Sequence, residues 1–355
     1  MKHSFLRTSF AFILSAAPLQ MFHVQAAIHK NKKSSDNILN AERTRDVVVA
    51  IIDTGADIQH KDLRDSVWIN QGEVGLDVNG NDKSTNGIDD DGNGYIDDVH
   101  GWNFVDNTNR VNDREGHGTH IAGVIKSEFE KQTLGYSFLE RKQQQQRAIA
   151  SQNEITLKLM ILKYYDANVS NETNLKNTVK AIEYAVKMNA QIINYSAGGA
   201  EPDSLEYQAI KKAQSRGVFL VTAAGNERTD ADVVKYYPAS YGLSNIIAVA
   251  ALESDGTLAS FSNYGKNTVD LAAPGSLVLS TLPNDRYGVL SGTSQATAYV
   301  SGYLASLIKR FGVAKKAISA DESLFVYKRS LMNEAVLNDK LRGRTKNQLA
   351  LVNGL

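Results

Sequence analysis

Short apolar runs typical of buried strands alternate along the middle of this chain with segments of helical spacing, and this alternation constrains the fold more than any other feature. The segments are strand-like at 159–163, helical at 175–186, strand-like at 191–195, helical at 205–216, and strand-like at 218–223 and 246–250. Strands that alternate with helices favour parallel pairing, because each helix returns the chain to the start of the next strand. We therefore predict an α/β fold, with a mostly parallel central sheet and helices on both faces.

Another apolar run, at 47–52, ends at Asp53 and is followed by a threonine and a glycine. A β-branched run that stops at a carboxylate and a turn residue is typical of a buried strand, so Asp53 is predicted to end a strand. Ser196 and Asn226 fall at or just beyond the carboxyl ends of two other predicted strands. Open α/β sheets hold their ligands along this edge. We therefore expect these three residues to lie near one another.

A base and a nucleophile follow in two glycine-rich segments. His117 lies between two glycines, just before a helical stretch of small residues, which lets other backbone approach closely. Ser294 lies where a turn that contains Gly292 leads into a helix predicted to run to about Lys309. A carboxylate, an imidazole and a hydroxyl in the chain order Asp53, His117, Ser294 favour covalent acyl transfer, because the imidazole can take the serine proton while the carboxylate orients the ring.

His117 also has two other interpretations. With His120 it could bind a metal at a spacing of three residues, but no carboxylate lies nearby at helical spacing as in the helix of a zinc protease. Either histidine could instead be a packed structural residue. We interpret His117 as a general base and His120 as a packed structural residue.

These segments resemble the subtilisin-like serine proteases, or subtilases, whose three catalytic blocks read approximately D-T-G, H-G-T-H-V-A-G and G-T-S-M-A-x-P. The resemblance extends to the segments 193–199, 223–226, 259–265 and 272–275, and it covers roughly residues 43–355. It implies a three-layer subtilisin-like fold and a serine endopeptidase that needs no cofactor for its chemistry. It also implies a catalytic triad of Asp53, His117 and Ser294.

The resemblance suggests roles for further residues. The side chain of Asn226 and the backbone N–H of Ser294 would form the oxyanion hole, although an asparagine after Gly225 could also be a turn residue. The segment Ser196, Ala197 and Gly198 would bind an extended polypeptide substrate. Because Ala197 stands where the family commonly has Leu, a neighbouring pocket is expected to be wide and to favour bulky apolar side chains.

The helix that begins with the nucleophile departs from the family pattern, because Gln295, Ala298 and Tyr299 stand where the family usually has Met, Pro and His. None of the three performs the bond-breaking step. Loss of the proline removes a fixed φ and restores a backbone N–H inside the helix. The sequence therefore favours a secreted serine endopeptidase, with a weak or silent peptide-binding module on the same scaffold, or a peptide transpeptidase or macrocyclase, as alternatives.

The amino-terminal residues 1–26 are predicted to be a secretory signal peptide, because two basic residues precede a mostly apolar stretch and a small-residue cleavage site. A membrane anchor is the alternative, but about 15 interrupted apolar residues fall short of the roughly 20 that span a bilayer. The expected organisation continues with a short extension at 27–44 and a catalytic domain at 45–355. We expect a secreted or periplasmic monomer, free of the membrane after signal cleavage.

The net charge limits which partners we expect, and the lack of cysteine limits how an exported form could be stabilised. Without Lys2 and Arg7 the 39 basic residues fall by two, to 37, against 39 acidic residues, a formal charge of −2. Strong attraction to nucleic acid is not expected from this balance, so polypeptide substrates remain the predicted partners. The chain has no cysteine, so an exported form has no disulfide and could gain stability from bound cations.

An acidic loop at 89–98 matches part of the calcium-loop template. The residues at its ligand positions one, three, five and nine are Asp89, Asp91, Asn93 and Asp97. His100 stands where a bidentate glutamate would close the template, and Asp98 could substitute as a further ligand. We predict a structural Ca²⁺ site here, with a solvated acidic turn as the alternative; a poorer match lies at 77–81.

One long stretch, at 129–154, carries charge and a run of four glutamines but no catalytic pattern. We predict that it forms an irregular surface insertion in the catalytic domain.

Overall fold

The computed structural model describes residues 46–144, 156–312 and 319–352 of the chain, without side chains for 134–144. The strands are β1 (Asp46–Asp53), β2 (Gly101–Asn103), β3 (Thr156–Lys163), β4 (Ile192–Tyr195), β5 (Phe219–Ala223), β6 (Ile246–Leu252), β7 (Leu271–Pro274), β8 (Val278–Leu282), β9 (Arg286–Leu290), β10 (Val336–Leu337) and β11 (Leu349–Ala350). The α-helices are α1 (His117–Gln144), α2 (Asn171–Lys187), α3 (Ser204–Ser215), α4 (Thr293–Phe311) and α5 (Ala320–Glu334). Short 3-10 helices lie at Arg64–Ser66, Gln71–Glu73, Ala239–Tyr241, Asp339–Leu341 and Lys346–Gln348.

Nine of the described strands form one sheet, in the order β10-β11-β7-β6-β5-β4-β1-β3-β2. Every neighbouring pair is parallel except β10 with β11. Strands β8 and β9 form a separate antiparallel hairpin just before α4. The predicted α/β fold with a mostly parallel sheet is confirmed.

Strand β1 is an interior strand of the sheet, between β4 and β3, and its side chains alternate between two hydrophobic cores. Val47, Val49 and Ile51 pack in one core with residues of α1, α4 and α5. The intervening side chains, such as Ile52, pack in the second core with residues of α2 and α3. Burying each large aliphatic side chain contributes about 1.5–3 kcal/mol, so both faces of the strand hold its position. Helices therefore cover both faces of the sheet.

The register brings the predicted functional residues to one edge. Asp53, the last residue of β1, lies opposite Lys163, the last residue of β3. Ile52 lies opposite Tyr195, the last residue of β4, so Ser196 follows directly at the same edge. Strand β5 also ends at this edge, three residues before Asn226.

The stretch predicted to be an irregular insertion begins as a helix instead. Helix α1 continues without interruption from His117 to Gln144, and Phe129 is 6% exposed in the hydrophobic core. Glutamine, lysine and glutamate are good helix formers, so a charged, low-complexity composition does not by itself predict an irregular structure. Residues 145–154, the remainder of the predicted insertion, lie outside the described residues.

Residues 45–355 form one compact unit. The predicted signal peptide at 1–26 and the extension at 27–44 lie outside the described residues. Within the described part of the chain, no helix is both long enough and apolar enough to cross a bilayer.

Candidate active site

The end of β1 and the start of α1 bring an acid and an imidazole together. Oδ1 of Asp53 lies 2.7 Å from Nδ1 of His117, and the backbone N–H of Thr54 donates to the same carboxylate oxygen at 2.8 Å. The carboxylate is buried, whereas 35% of the His117 side chain is exposed. Because Nδ1 faces the carboxylate, Nε2 is the nitrogen left for proton transfer with a substrate.

Negative charge raises the pKa of His117. The Asp53 carboxylate makes the largest contribution, while burial of the ring acts in the opposite direction, and Asp113 and Glu115 add to the upward shift. Each of these carboxylates favours the protonated imidazolium, which is the form that a base in acyl transfer must become.

The raised pKa of His117 predicts how the rate of the expected acyl transfer depends on pH. A protonated imidazole cannot accept a proton, so the acid limb of kcat/KM should have its midpoint above pH 6.5, the ordinary pKa of histidine. Glu115→Gln removes one of the contributing charges and should move this midpoint to lower pH. Initial rates across a pH series would measure both effects; a wild-type midpoint below 6.5 would contradict the assignment of His117 as base.

Asp113, which sequence reasoning missed, joins the segments that carry Asp53 and His117. It is 8% exposed, and its two oxygens accept five hydrogen bonds. The donors are the Thr54 hydroxyl, the N–H groups of Glu115 and Gly116, and both the N–H and the hydroxyl of Thr119. The Thr54 hydroxyl in turn accepts from Gly118 N–H at 2.9 Å. An aspartate just before a helix is a capping signal that could have marked Asp113 in the sequence.

Ser294, the second residue of α4, is bonded to the end of β4. Its hydroxyl donates to the backbone carbonyl of Ser196 at 3.0 Å, and the Ser196 hydroxyl donates to the carbonyl of Ser294 at 3.2 Å. Behind this pair, Ser301 donates to Oδ1 of Asn194, whose Nδ2 donates to the Ser196 hydroxyl, each at 2.9 Å. All four side chains are buried, so a continuous polar chain links the start of α4 to the sheet edge.

Asn226 is oriented by Thr293, the residue before Ser294. Its Oδ1 accepts from the N–H of Thr293 at 2.9 Å and from the Thr293 hydroxyl at 3.0 Å. Since a backbone N–H can only donate, these contacts fix the amide oxygen toward α4 and leave the Nδ2 protons for another acceptor. A Cβ placed on Gly292 would lie 3.8 Å from that Nδ2.

A model of the subtilase family matches residues 44–353. The chain belongs to the subtilase family. This subtilase is 33% identical over 272 residues to thermitase from Thermoactinomyces vulgaris, covering 77% of this chain and 78% of thermitase. It is 32% identical over 273 residues to the major intracellular serine protease of Bacillus subtilis (strain 168), covering 75% and 69% of the two chains.

Among solved structures, a cold adapted subtilisin-like serine proteinase aligns with a TM-score of 0.56 and 24% identity, covering 88% of this chain and 90% of that one. This likeness concerns the fold. The family match and the sequence relatives make the protein a subtilisin-like serine endopeptidase, as predicted. Subtilases carry out this chemistry without a cofactor.

The acidic loop of this subtilase brings together only part of the predicted ligand set. Carboxylate oxygens of Asp89 and Asp91 lie within 4.8 Å of each other and of one from Glu73, which sequence reasoning missed. Asp97 lies outside this group, because its Oδ1 accepts from Gly87 N–H instead. The Asn93 oxygen accepts from the N–H two residues along, so it stabilises the turn.

Glu73 is fully buried, and its Oε2 has no hydrogen-bond partner among the described residues. Burial raises the pKa of Glu73, because the charged carboxylate is desolvated. Burial also raises the pKa of Asp98, whose oxygens accept from Asn70, Asn93 and Tyr184. Asp98 is thus saturated with donors, whereas Glu73 is not.

Proposed function

We propose that this subtilase hydrolyses peptide bonds of polypeptides outside the cytoplasm through Asp53, His117 and Ser294, by way of an acyl-enzyme. The 2.7 Å contact between Asp53 Oδ1 and His117 Nδ1 carries the proposal. A buried carboxylate against one ring nitrogen fixes the tautomer in which the other nitrogen can accept a proton. Helices α1 and α4 pack on each other, and His117 and Ser294 lie at their first turns.

The reaction begins when the Ser294 hydroxyl turns from the Ser196 carbonyl toward Nε2 of His117. His117 takes the hydroxyl proton as Oγ forms a bond to the substrate carbonyl carbon, and Asp53 stabilises the imidazolium. The imidazolium then donates its proton to the leaving amine, and the C–N bond breaks. Water then attacks the acyl carbon while His117 takes one of its protons. The ester bond to Oγ breaks, and His117 returns that proton to Ser294 Oγ as the carboxylic acid leaves.

The negative charge on the substrate oxygen needs hydrogen-bond donors already in position. Nδ2 of Asn226 and the backbone N–H of Ser294 supply them in this proposal, since Thr293 holds the amide oxygen away from that space. The substrate lies extended along Ser196, Ala197 and Gly198. No nucleic acid or membrane partner is invoked, and the enzyme acts as a monomer.

Asn226→Ala should lower kcat by about 10²–10³-fold, because the transition state loses one charge-stabilising donor while the nucleophile and base remain. KM should change much less, since the ground-state carbonyl gains little from this donor. Steady-state kinetics on a peptide substrate would measure both constants. Asn284→Ala, on the turn between β8 and β9, is a matched control; an equal loss in both variants would remove Asn226 from the oxyanion hole.

Fluorophosphonate labelling tests the function itself. The wild type should be labelled covalently, and Ser294→Ala and His117→Ala should not, because the reagent needs an activated serine. Ser291→Ala, on the exposed turn before α4, should remain labelled. No labelling of a folded wild type would favour the silent binding module, and peptide products that lack added water would indicate a transpeptidase.

Export is the second part of the proposal. A basic start, an apolar stretch and a small-residue cleavage site support removal of residues 1–26. The amino-terminal sequence of the mature protein recovered outside the cytoplasm should begin near Ala27. A mature protein that retains its basic start and stays in the cytoplasm would contradict this assignment.

A structural Ca²⁺ at Glu73, Asp89 and Asp91 is the third part. Clustered carboxylate oxygens suit this hard cation, and the buried Oε2 of Glu73 needs a positive partner to offset its desolvation. The ion would hold the acidic loop against the 3-10 helix that ends at Glu73. It takes no part in the bond-breaking chemistry.

Calcium should therefore stabilise the fold. At a concentration one hundred times its Kd, a bound ion adds about 2.7 kcal/mol to the free energy of unfolding, so a chelator should lower the melting temperature by roughly 5 °C. Glu73→Gln should abolish this response, whereas Glu172→Gln, on the exposed face of α2, should retain it. Calorimetry with excess calcium and with chelator would measure the difference; equal melting temperatures in the wild type would contradict the site.

A further inference from the structure

We propose that Tyr236 closes the pocket for the side chain that precedes the scissile bond, and that the enzyme therefore cleaves after small residues such as alanine, glycine and serine. This inference rests on the proposed peptidase function. It concerns which polypeptides the site accepts.

The aromatic ring of Tyr236 fills the gap between two backbone segments. A Cβ placed on Gly198 would lie 2.5 Å from Cε1 of this ring, and a Cβ placed on Gly225 would lie 3.0 Å from Cε2. Opposite edges of one ring therefore contact both glycines. Real Cβ atoms essentially never come as close as 2.5 Å, so the gap holds the tyrosine only because Gly198 lacks a side chain.

The position of the two glycines identifies this gap as the pocket. Gly225 directly precedes Asn226, and Gly198 lies two residues after Ser196, whose carbonyl accepts from the Ser294 hydroxyl. When the substrate carbonyl binds between Ser294 and Asn226, the side chain of the same substrate residue lies next to the two segments that carry these glycines. An extended substrate that pairs with the segment from Ser196 directs that side chain into the space between them.

Tyr236 is held firmly at the base of this space. The next residue, Tyr237, forms a two-way backbone bridge with Gly199, with N···O distances of 2.9 and 2.7 Å. The N–H of Tyr236 itself donates to the Ser240 hydroxyl at 3.1 Å. Burial of the ring raises the pKa of Tyr236 to about 12, so the phenol is neutral at physiological pH. A long side chain cannot enter without displacing the ring.

A carboxylate forms a second wall. Oε2 of Glu227 would lie 2.5 Å from a Cβ on Gly225, and it accepts from Asn263 Nδ2 at 2.6 Å. Glu227 would repel an acidic substrate side chain. The pocket therefore suits side chains that are short and not acidic.

The pocket expected beside Ala197 is not the pocket that Tyr236 closes. Successive side chains of an extended segment point to opposite faces, so Ala197 faces away from the side on which Gly198 meets Tyr236. Ala197 instead packs against the core shared with α2 and α3. The preference for bulky apolar side chains expected there applies to another position of the substrate.

The test uses peptides that differ only in the residue before the cleaved bond, with alanine or phenylalanine at that place. The wild type should show a kcat/KM at least about tenfold higher for the alanine peptide. Tyr236→Ala should raise kcat/KM for the phenylalanine peptide about tenfold or more, because the ring is gone. Tyr236→Phe should keep the wild-type preference, since it retains the ring, and Tyr207→Ala, a half-buried tyrosine on α3, is the control for loss of an aromatic side chain.

A wild type that is labelled by fluorophosphonate but prefers phenylalanine would overturn this inference and leave the peptidase function standing. A Tyr236→Ala protein with an unchanged preference would also overturn it. Absence of both labelling and hydrolysis would overturn both proposals. If Tyr236→Ala does not fold, as judged by its melting curve, the profiles of the wild type and Tyr236→Phe decide the question.

Discussion

Ser294→Ala should lower kcat by about 10⁶-fold, the scale found in subtilisin when the nucleophile is removed. The substitution deletes one oxygen at the start of a helix whose residues are buried from Thr293 to Ile308, so the fold should persist. Only the hydrogen bond of the hydroxyl is lost, because the backbone carbonyl of residue 294 can still accept from the Ser196 hydroxyl. The loss should therefore fall on kcat rather than on stability.

Single-turnover and steady-state kinetics, with a melting curve for each protein, would measure this effect. Ser291→Ala is the matched control, since Ser291 is an exposed serine on the turn that leads into the same helix. The assignment would be refuted by a Ser294→Ala variant that folds like the wild type and retains more than a small fraction of its rate.

Asp53→Asn should lower kcat by about 10⁴-fold while leaving the geometry nearly unchanged. An amide in place of the carboxylate has no negative charge to stabilise the imidazolium, so His117 accepts the proton of the nucleophile less readily. The substitution also removes the largest cause of the raised pKa of His117, so the residual activity should show its acid limb at lower pH.

A pH series of kcat/KM for Asp53→Asn would test both effects together. Asp65→Asn, which replaces an exposed aspartate in the 3-10 helix Arg64–Ser66, should behave as the wild type. Near-normal kcat in Asp53→Asn would show that the 2.7 Å contact with His117 is structural and not catalytic.

The fold could be predicted well where burial acts on both sides of a segment. The run that ends at Asp53 is apolar at successive positions because both faces of β1 are covered, and such a run has few alternatives to a central parallel strand. The helical spacing at 175–186 predicted α2, which the structure extends to Asn171–Lys187. The structure of the charged stretch that begins at Phe129 is harder to predict, because its composition suits both an exposed loop and a helix. The burial of Phe129 in the core, which favours the helix, is visible only in the structure.

Parts of the site could not be predicted because long-range packing creates them. The role of Asp113 is visible only in the folded structure, where its oxygens accept hydrogen bonds from Thr54 and from the first turn of α1. Glu73 joins the acidic loop through the N–H of Asp91, 18 residues later, and nothing in the local pattern marks it. Tyr236 gains its role only between two glycines from separate strand ends.

A peptidase can also cleave other copies of itself, and the burial of α4 affects where such cleavage can begin. Self-cleavage requires a segment that opens into an extended conformation, and segments open in the order of their local stability. The helix that carries Ser294 is buried from Thr293 to Ile308 in the core that it shares with α1 and β1, so it should not open before that core unfolds. Self-digestion should therefore begin at exposed loops such as 77–88, and the helix that carries Ser294 should stay folded until the core around it is lost.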